Sequence, residues 1–482
     1  MSGQPPIFDQ RFIADIVIEA KTPLKIGSGD SHIAQDSPIA RDANGLPCIP
    51  GTALAGVLRA ELKQQLGAQD WIAAVFGNGG DDGRGSRLIV STARILDQDG
   101  KPADGLRTQA TIDDDPILSQ LRQLPIRDHV RIGHRGSADT EGHGKFDEEI
   151  LYKGVRFALR LELVGSIEDA EIWGKIIQTL GSPLFRLGGG TRRGFGRLSV
   201  IGLDSRRLDL RINDDREKFL NQPSLLEAPT KIVTERQAEQ VGSQHAVWSR
   251  YLLSLKAEDW YLFGSGHSDA EADLTPVLER TIVWNDGKAS FSELLTIVPA
   301  SSIKGAISHR VALHFNRLSK CWADAALDMQ AVCGENNKAV AALFGSAKKS
   351  EPAAKGGEGG IRANAAMANS GAPMLASRGR VLIDDLALSF NNDTIIPHIS
   401  LDRFTQGPMQ GALFFERVSR SEKGLNLAIV VENSALAVPG VKEAFEATLT
   451  DLCTGMLPLG GGTMRGNGAF TGTWEAEGVR NG

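Results

Sequence analysis

The sequence has few of the residues that mark several protein classes. Its 482 residues include only four cysteines, widely scattered, which excludes the dense cysteine pattern of a disulfide-stabilised secreted domain. No apolar run reaches the roughly 18 residues that a membrane-spanning helix needs, and the N-terminus lacks the layout of a secretory signal peptide. We therefore expect a cytoplasmic protein without a membrane partner.

An excess of positive charge is also missing. The chain has 53 Lys and Arg against 59 Asp and Glu, and its net charge is −6 at pH 7. This argues against a protein that coats nucleic acid through bulk charge, although a basic groove on an acidic body stays possible because the local field steers ligands. Hydrophobic residues make up 41% and charged residues 23%, which is typical of a globular protein.

What the sequence does have is an internal repeat. FRLGGGTRRGFG at 185–196 returns as LPLGGGTMRGNG at 457–468. Four more landmarks recur in the same order. They are LKIGSGDSHIAQDSPIARD (24–42) with WYLFGSGHSDAEADLTPVLER (260–280), IPGTALAGVLRAEL (49–62) with VPASSIKGAISHRV (298–311), AAVFG (73–77) with AALFG (341–345), and 129–150 with 398–418. Five landmarks in one order indicate tandem domains.

The repeat predicts the domain organisation and the fold class. We place the first domain at 1–212, a polar linker at 213–244 and the second domain at 245–482. In each copy, strands mix with helices without strict alternation, which predicts an α+β fold. The order fits two tandem ferredoxin-like, RRM-like domains built on a βαββαβ core.

The two glycine phrases do not fit a dinucleotide-binding loop, because here a helix precedes the glycines and a strand follows. A tight connection would explain one or two glycines in each phrase by positive φ. The others, interleaved with arginines, favour close approach of the backbone to phosphates. The predicted RNA-binding residues are Gly188, Gly189, Gly190, Arg192 and Arg193 in the first phrase, and Gly460, Gly461, Gly462 and Arg465 in the second.

Two predicted helices open with TALAG and SSIKG. Thr52 and Ser301 are expected to be N-cap residues, and plain capping is one interpretation of these hydroxyls. The alternative is a second phosphate site at each helix N-terminus, with Ser302 and Lys304 contributing in the second copy. The first copy has Ala55 where the second has Lys304, so this charge is not shared.

Asp36 and Asp273 align without a gap, each in a loop before a proline. A loop aspartate commonly forms only an Asx turn. In a matched position near a scissile phosphate, however, it could hold a divalent cation or orient an attacking 2′-hydroxyl. Asp30 and Asp42 are alternative candidates close by.

A zinc site is the remaining candidate for metal chemistry. His309, His314, Cys321 and Cys333 follow no spacing that closes a tetrahedral site. We therefore expect no structural zinc.

With these landmarks together, the chain resembles CRISPR-associated RAMP proteins, specifically two fused backbone subunits of a type III effector complex (the Cas-seven family). GDSHIAQDSPIARDANGLPCIPGTALAGVLR is similar to the family's Asp-Ser-Pro-Val segment and its Ile-Pro-Gly-Ser-Ser-Leu-Lys-Gly helix. The second copy keeps SSIKG but has ADLTPV and VPAS where the family has Asp-Ser-Pro-Val and Ile-Pro-Gly-Ser. The tandem fusion is most similar to the type III-D branch.

The resemblance implies a role for each part. Each domain would grip guide RNA (crRNA) with its glycine phrase and helix N-terminus, and 129–148 and 398–416 would be thumb hairpins. His129 falls in the first thumb, and Met409 is the expected wedge at the tip of the second. Asp36 and Asp273 would cut target RNA with a transient Mg²⁺ or Mn²⁺.

The resemblance also implies partners: crRNA, target RNA, the large polymerase/cyclase subunit, cap and small subunits, and other backbone subunits. Two other functions stay open. One is a non-catalytic crRNA-binding filament subunit. The other is a metal-independent guide-processing nuclease, which would need a histidine near a glycine phrase, and neither phrase contains one.

Overall fold

The computed structural model describes residues 8–28, 38–67, 69–79, 83–130, 132–133, 144–229, 247–322, 332–346, 377–389, 393–420 and 423–477. Within these ranges it contains two tandem α+β domains, each with its own hydrophobic core. None of the helices in the described part of the chain combines the length and the apolar character needed to cross a bilayer.

The first domain is built on one antiparallel sheet. Its strand order is β2-β4-β7-β1-β8, and β3 also pairs with β7. The strands are β1 (Gln10–Ala20), β2 (Cys48–Ile49), β3 (Leu88–Val90), β4 (Ala93–Ile95), β7 (Arg156–Gly165) and β8 (Leu198–Asp209); β5 (Ile126–Val130) and β6 (Lys145–Glu149) form a separate hairpin. The helices are α1 (Gly51–Leu66), α2 (Asp70–Phe76), α3 (Gln109–Asp113), α4 (Pro116–Gln120), α5 (Ala170–Leu180) and α6 (Asn213–Leu220).

The second domain repeats this plan with additions. Its main sheet has the order β16-β20-β9-β21. The strands are β9 (Trp248–Ala257), β10 (Leu278–Glu279), β11 (Ile282–Asn285), β12 (Lys288–Phe291), β13 (Leu295–Val298), β14 (Gly345–Ser346), β15 (Ser377–Arg378), β16 (Val381–Ile383), β17 (Leu386–Ser389), β18 (Asp393–His398), β19 (Phe414–Ser419), β20 (Leu425–Glu432) and β21 (Phe470–Glu477). The helices are α7 (Ala300–Leu318), α8 (Lys338–Phe344), α9 (Asn433–Leu436) and α10 (Val441–Cys453).

In both sheets the first strand of the domain is an interior strand with a partner on each side. β1 pairs antiparallel with β7 and β8, and β9 pairs antiparallel with β20 and β21. Alternate side chains of β1, such as Phe12, Ile16 and Ile18, enter a core completed by α1 and α5. This arrangement leaves the glycine phrase, which joins α5 to β8, at one end of the sheet.

The sequence predicts one continuous strand at 87–96 and one at 379–388, and the structure breaks both. β3 and β4 are separated by two residues, and so are β16 and β17. The second strand is interrupted because Asp384 and Asp385, the two residues between β16 and β17, turn towards the first domain. Asp384 pairs with Arg186 and Arg197, and Asp385 pairs with Arg127.

A hairpin of the second domain, β11–β12, packs on the first domain. The indole Nε1 of Trp284 donates to the carbonyl of Gly154 at 2.8 Å, and the guanidinium carbon of Arg156 lies 4.1 Å from the Trp284 ring centroid. Ile282 and Ala289 are buried in the hydrophobic core of the first domain. The two halves are therefore joined by packing as well as by the chain.

Part of the stretch that the sequence analysis assigns to a linker is regular structure. Helix α6 occupies Asn213–Leu220, and residues 230–246 lie outside the described residues.

Candidate nucleic-acid interface

Each glycine phrase forms a tight loop that passes over the segment following the first strand of its domain. A Cβ on Gly188 would overlap the carbonyl oxygen of Lys25, and one on Gly460 would overlap that of Leu262. The next amide along, in Gly189 and Gly461, donates to the same carbonyl at 2.8 and 2.6 Å. The glycines are required here because no side chain fits between the two backbones.

More glycines have a local explanation than the one or two per phrase that the sequence analysis allowed. In each phrase four glycines have positive φ, at matched positions: Gly188, Gly190, Gly194 and Gly196, and then Gly460, Gly462, Gly466 and Gly468. The loop must cross a carbonyl group and then return to the next strand, and left-handed residues allow both changes of direction. Loop geometry alone therefore explains most of the repeated spacing.

In the first domain, the phrase is tied to the β5–β6 hairpin through a buried carboxylate. Glu148 of β6 receives Arg193 Nη2 of the phrase and Lys25 Nζ, each at 2.6 Å from Oε1. His129 of β5 lies with Nε2 3.3 Å from Glu148 Oε2. Burial alone would raise the pKa of Glu148, but His129, Lys25 and Arg193 lower that pKa to about 2.

An aromatic ring completes this cluster. The His129 and Phe146 rings stack with centroids 5.0 Å apart, and Arg193 Cζ lies 5.0 Å from the Phe146 centroid. The ring thus lies between the histidine of the hairpin and the arginine of the phrase. Arg193 is held on two sides, which fixes the direction of its guanidinium.

The second domain repeats the cluster with other residues. Glu416 of β19 is fully buried and contacts both Arg465 of the phrase and His398 of β18, whose Nε2 is 2.9 Å from Glu416 Oε2. The His398 and Phe414 rings stack at 4.9 Å, and Arg465 Cζ lies 5.6 Å from the Phe414 centroid. The repeat therefore extends to matched side-chain chemistry at the base of each hairpin.

The hairpin register corrects one detail of the sequence alignment. A gap-free alignment places Phe146 over Phe415, but the structure pairs His129 with Phe146 and His398 with Phe414. The second hairpin is one residue shorter between these partners. The histidine–phenylalanine stack sets the register, and the loop absorbs the difference.

The two arginines of the first phrase point to different places. Arg193 joins the hairpin cluster, whereas Arg192 lines a cavity between the two domains. Met464 occupies the position of Arg192 in the second phrase and is 99% exposed. The equivalent positions thus have opposite surroundings.

The predicted N-caps are wrong. Helix α1 has Pro50 and helix α7 has Pro299 at the N-cap, and neither has a side-chain capping hydrogen bond. The proline ring fixes φ at −56° and −68°, and the helix starts at the following residue. Thr52, Ser301 and Ser302 therefore lie within the first helical turn; Thr52 and Ser302 are exposed and Ser301 is half-buried.

Lys304 lies beside the first glycine phrase although it belongs to the second domain. Burial lowers its pKa, and the neighbouring Arg192 and Arg193 lower it further, to about 8. A Cβ on Gly194 would lie 2.6 Å from the Cβ of Ala300, the first residue of α7. The first phrase thus meets the N-terminus of α7 across the domain boundary, where Asp385 Oδ1 accepts from the Ala300 amide at 2.8 Å.

Of the two predicted catalytic aspartates, the structure describes only Asp273. Asp36 lies outside the described residues, as does Asp30. Asp273 is exposed and makes a paired contact with β19: its amide donates to the carbonyl of Phe415 at 2.9 Å, and its Oδ2 accepts from the Phe415 amide at 2.8 Å. Asp42 accepts from the amides of Asn44 and Leu46, so it has a structural role.

The loop that carries Asp273 also reaches the hairpin of the first domain. His267 Nε2 lies 3.3 Å from Asp128 Oδ2 on β5, and Gly266 packs on the same carboxylate. The backbone of His267 is held to Thr275 by a 2.9 Å hydrogen bond. Asp273 therefore lies on a loop that contacts both hairpins, and sequence reasoning missed His267 because its partner is in the other repeat.

At the tip of the second hairpin, Met409 is 51% exposed and its amide donates to the carbonyl of Ser400. Phe404 is 92% exposed in a turn closed by the carboxylate of Asp402, which accepts from the Phe404 and Thr405 amides. The sequence analysis did not select Phe404. Its position two residues after an Asx-turn aspartate was the available indication.

The residues considered for zinc are dispersed. His314 Nε2 lies 2.8 Å from Asp451 Oδ2, while His309 on the same helix is exposed. Cys321 and Cys333 are half-buried and unbridged. Within the described ranges, no three His, Cys, Asp or Glu side chains form a group that could hold a metal ion.

Comparison with known proteins gives relatives for both repeats. The family model of the RAMP superfamily matches residues 17–199 and again 285–471. A curated relative, "CRISPR system Cms endoribonuclease Csm3" of Mycobacterium tuberculosis (strain ATCC 25618 / H37Rv), is 26% identical over 202 residues, which are 38% of this chain and 84% of the relative.

One solved structure is also similar at a low level. It is a chain from the cryo-EM structure of type III-B Cmr-beta bound to cognate target RNA, with 16% identity and a TM-score of 0.28. The match covers 41% of this chain and 61% of that chain. The two matches to the family model together span most of the sequence, and one falls within each described domain. The chain therefore belongs to the RAMP superfamily and carries two copies of its domain in tandem.

Proposed function

We propose that the chain is a backbone subunit of a type III CRISPR RNA-guided effector complex. In this role it binds crRNA and cleaves complementary target RNA at two sites. The main support for this proposal is the position of Asp273, on a loop that contacts the hairpins of both domains. The relative named as an endoribonuclease supports RNA cleavage as the reaction.

The proposal also includes a more specific fold for each domain. We assign each domain a ferredoxin-like, RRM-like core, with β5–β6 and β18–β19 as thumbs. The sheet orders support this: counting the four core strands of each domain along the chain, both sheets read fourth, first, third, second. Phe404 and Met409, both exposed near the tip of the second thumb, are candidates to wedge between bases; Ile399, Leu401 and Leu413 of the same hairpin are exposed as well.

Guide RNA would follow the basic residues at the glycine phrases. Lys304 lies near enough to Arg192 and Arg193 for their charges to lower its pKa, and Arg465 holds the position of Arg193 in the second domain. These basic groups would contact phosphates and not bases. Such contacts suit a guide whose sequence varies, because they do not depend on which base is present. The Ala300 amide already donates to Asp385 and the Ser302 amide to Pro299. The amides of Thr52 and Ser301 make no hydrogen bond within the described structure and would add neutral donors.

Cleavage would use Asp273 and, by alignment, Asp36. In the described structure Asp273 Oδ2 is engaged by the Phe415 amide, and no hydrogen bond to Oδ1 occurs there. A single carboxylate is a weak site for a resident metal ion, so water molecules and phosphate oxygens of the RNA would complete the coordination of a divalent cation there. Bound there, Mg²⁺ or Mn²⁺ would stabilise charge on the scissile phosphate while Asp273 orients the neighbouring 2′-hydroxyl.

A second function has its own support. The carboxylate of Asp273 anchors the loop to β19, so the residue has a structural role whether or not RNA is cut. The alternative is a non-catalytic crRNA-binding filament subunit, with the nuclease in another subunit of the complex. Both functions share crRNA, target RNA and type III effector subunits as partners.

One experiment separates these functions. The complex reconstituted with each variant is given end-labelled target RNA, and the products are resolved on a gel. We expect Asp36→Ala to remove one product and Asp273→Ala the other, each by orders of magnitude in rate, with target binding retained. Chelation of divalent ions should remove both, and a 2′-deoxy nucleotide at one scissile position should block that cut alone.

Asp273→Asn is the matched control, because its side-chain oxygen can still accept from the Phe415 amide. If Asn restores the loop but not the cut, the carboxylate charge is required for chemistry. If both single alanine variants still give both products, the filament-subunit function is correct.

A further inference from the structure

The loop that carries Asp273 is contacted on both sides of that residue by one strand of the first domain. Before Asp273, His267 Nε2 lies 3.3 Å from Asp128 Oδ2. After it, Glu279 Oε1 accepts from Arg127 Nε at 2.9 Å and from Arg127 Nη2 at 2.6 Å. Arg127 and Asp128 are consecutive residues of β5, so their side chains point to opposite faces of the hairpin. The first hairpin thus holds the loop at two separate points.

Of the two contacts, the one made by Arg127 is the stronger. Its side chain is buried, its Nη1 donates to Asp385 Oδ2 at 2.5 Å, and its Cζ lies 5.1 Å from the centroid of the Phe195 ring. Asp385 Oδ1 in turn accepts from the Ala300 amide at the start of α7. The guanidinium is therefore fixed in direction, and its bonds to the loop are charge-assisted and shielded from water. The side chain of His267 is 67% exposed, and an exposed ion pair contributes little.

In the first domain, the matching carboxylate is paired within the domain itself. The two loops share one register, because the bridge between residues 27 and 39 returns between residues 264 and 276. This register places Asp42 at the position of Glu279. Asp42 pairs at 3.3 Å with Arg94 of β4, a strand of its own domain.

The second domain has no basic residue at the position of Arg94. RLIVSTAR, which ends in β4, matches RVLIDDLA, which ends in β17, and this match places Ala387 there. Arg127 supplies the cation from the other domain. The second hairpin in turn has Ile396 in the place of Arg127, because each of them pairs across its hairpin with the buried glutamate of its cluster. Each loop carboxylate therefore has one arginine, from its own domain in the first copy and from across the boundary in the second.

We infer that Arg127 and Asp128 are positioning residues for Asp273: by holding its loop on both sides, they make the second candidate cleavage site a joint product of the two domains. Neither residue needs to touch RNA or metal, since both act through the loop. The inference rests on the proposed function and deepens it, because it makes the two cuts unequal. The cut assigned to Asp273 depends on the first hairpin in this way, whereas the cut assigned to Asp36 does not.

Hydrogen–deuterium exchange of the full chain without RNA tests the holding of the loop. Glu279→Gln keeps the shape of the side chain and removes its charge, while Arg127 keeps its bond to Asp385, so the variant is expected to fold. We expect peptides that cover 264–279 to exchange about fivefold faster than in the wild type, because a charge-assisted hydrogen bond that closes the loop is weakened. Asp128→Asn should act in the same direction by a smaller factor.

Arg197→Gln is the matched control. It removes another ion pair between the domains, but its partner Asp384 is not on the loop and keeps Arg186. Exchange of 264–279 should therefore stay at the wild-type rate. If Arg197→Gln accelerates this exchange as much as Glu279→Gln does, the loop only follows a general loosening between the domains, and the inference is overturned. Unchanged exchange in Glu279→Gln and in Arg127→Gln overturns it as well.

Single-turnover cleavage by the reconstituted complex is the second readout. Glu279→Gln should slow the Asp273-dependent cut about tenfold, because a small displacement of a reacting group is costly, and should leave target affinity and the Asp36-dependent cut unchanged. Equal slowing of both cuts, or loss of target binding, contradicts a positioning role. A wild-type complex that makes no cut refutes the proposed function, and the exchange data then still decide whether Arg127 holds the loop.

Discussion

The two glycine phrases have the same backbone but different neighbours. The first is covered by the second domain, and its Arg192 faces an interdomain cavity. In the second, Met464 is almost fully exposed within the described structure. The same loop geometry therefore occurs in two different surroundings. The residue after the threonine differs between them: it is the charged Arg192 in the first phrase and the apolar Met464 in the second.

The buried glutamates show a second difference. Glu148 has three basic neighbours, Lys25, Arg193 and His129. Glu416 has Arg465 and His398, while Leu262 occupies the position of Lys25. The repeats thus conserve the arginine–glutamate–histidine link between phrase and hairpin, and they differ in how much positive charge surrounds it.

The largest expected effect tests the shared backbone. Gly188→Ala and Gly460→Ala should each destabilise the chain by about 3 kcal/mol or more, because a Cβ would overlap a carbonyl oxygen in a left-handed residue. Gly466→Ala is the matched control: its φ is +95°, but nothing lies within 4 Å of its Cβ position. It should cost only about 1–2 kcal/mol. Urea unfolding followed by fluorescence measures all three, and equal losses would contradict this account.

An intermediate effect tests the difference in charge. Lys25→Leu gives the first cluster the composition of the second and removes one neighbour that lowers the pKa of Glu148. A carboxyl whose folded pKa is depressed stabilises the fold above its ordinary pKa of 4.5, and this contribution disappears as pH falls towards about 2. We therefore expect Lys25→Leu to cost about 1–2 kcal/mol at pH 7.

The pH dependence is the diagnostic readout for that variant. Its difference from the wild type should shrink between pH 4.5 and about 2, as measured by denaturation at a series of pH values. Lys63→Leu removes an exposed lysine from α1 and should show no such trend. A pH-independent loss for Lys25→Leu would indicate packing alone.

The smallest effect concerns Lys304, which replaces the Ala55 of the first domain. Lys304→Ala should weaken RNA binding a few-fold at pH 7 and lower the salt slope by about 0.7, the value for one phosphate contact with a single strand. Because its pKa is about 8, wild-type affinity should fall as pH rises through that value, and the variant should lack this step. Fluorescence anisotropy measures the RNA affinity as a function of salt and of pH, and Lys288→Ala is an exposed-lysine control. An unchanged salt slope in Lys304→Ala would exclude Lys304 as a phosphate contact.

The sequence predicted the repeat and the principal helices because both depend on local patterns. α1, α5, α7 and α10 lie where the apolar spacing and the repeated landmarks place them. The N-caps were wrong because the proline before each helix fixes the start of the helix two residues earlier than the hydroxyls imply.

The candidate site was less accessible to sequence reasoning. Glycines and arginines of the phrases could be selected by their repetition, but the partners of Arg193 and Lys25 could not. Lys25 and Glu148 are 123 residues apart in the chain, and Arg127 and Asp385 are 258 apart. Such pairings are decided by the way in which hairpin and domain pack, which no local pattern encodes.

The β11–β12 hairpin has a consequence for synthesis on the ribosome. Ile282 and Ala289 complete the hydrophobic core of the first domain, and Trp284 closes its edge. A nascent chain that ends before this hairpin has all the main-sheet strands of the first domain but leaves part of that core open to water. The first domain therefore completes its hydrophobic core only after the chain has been translated beyond Phe291, and during that interval its exposed apolar surface is open to chaperones.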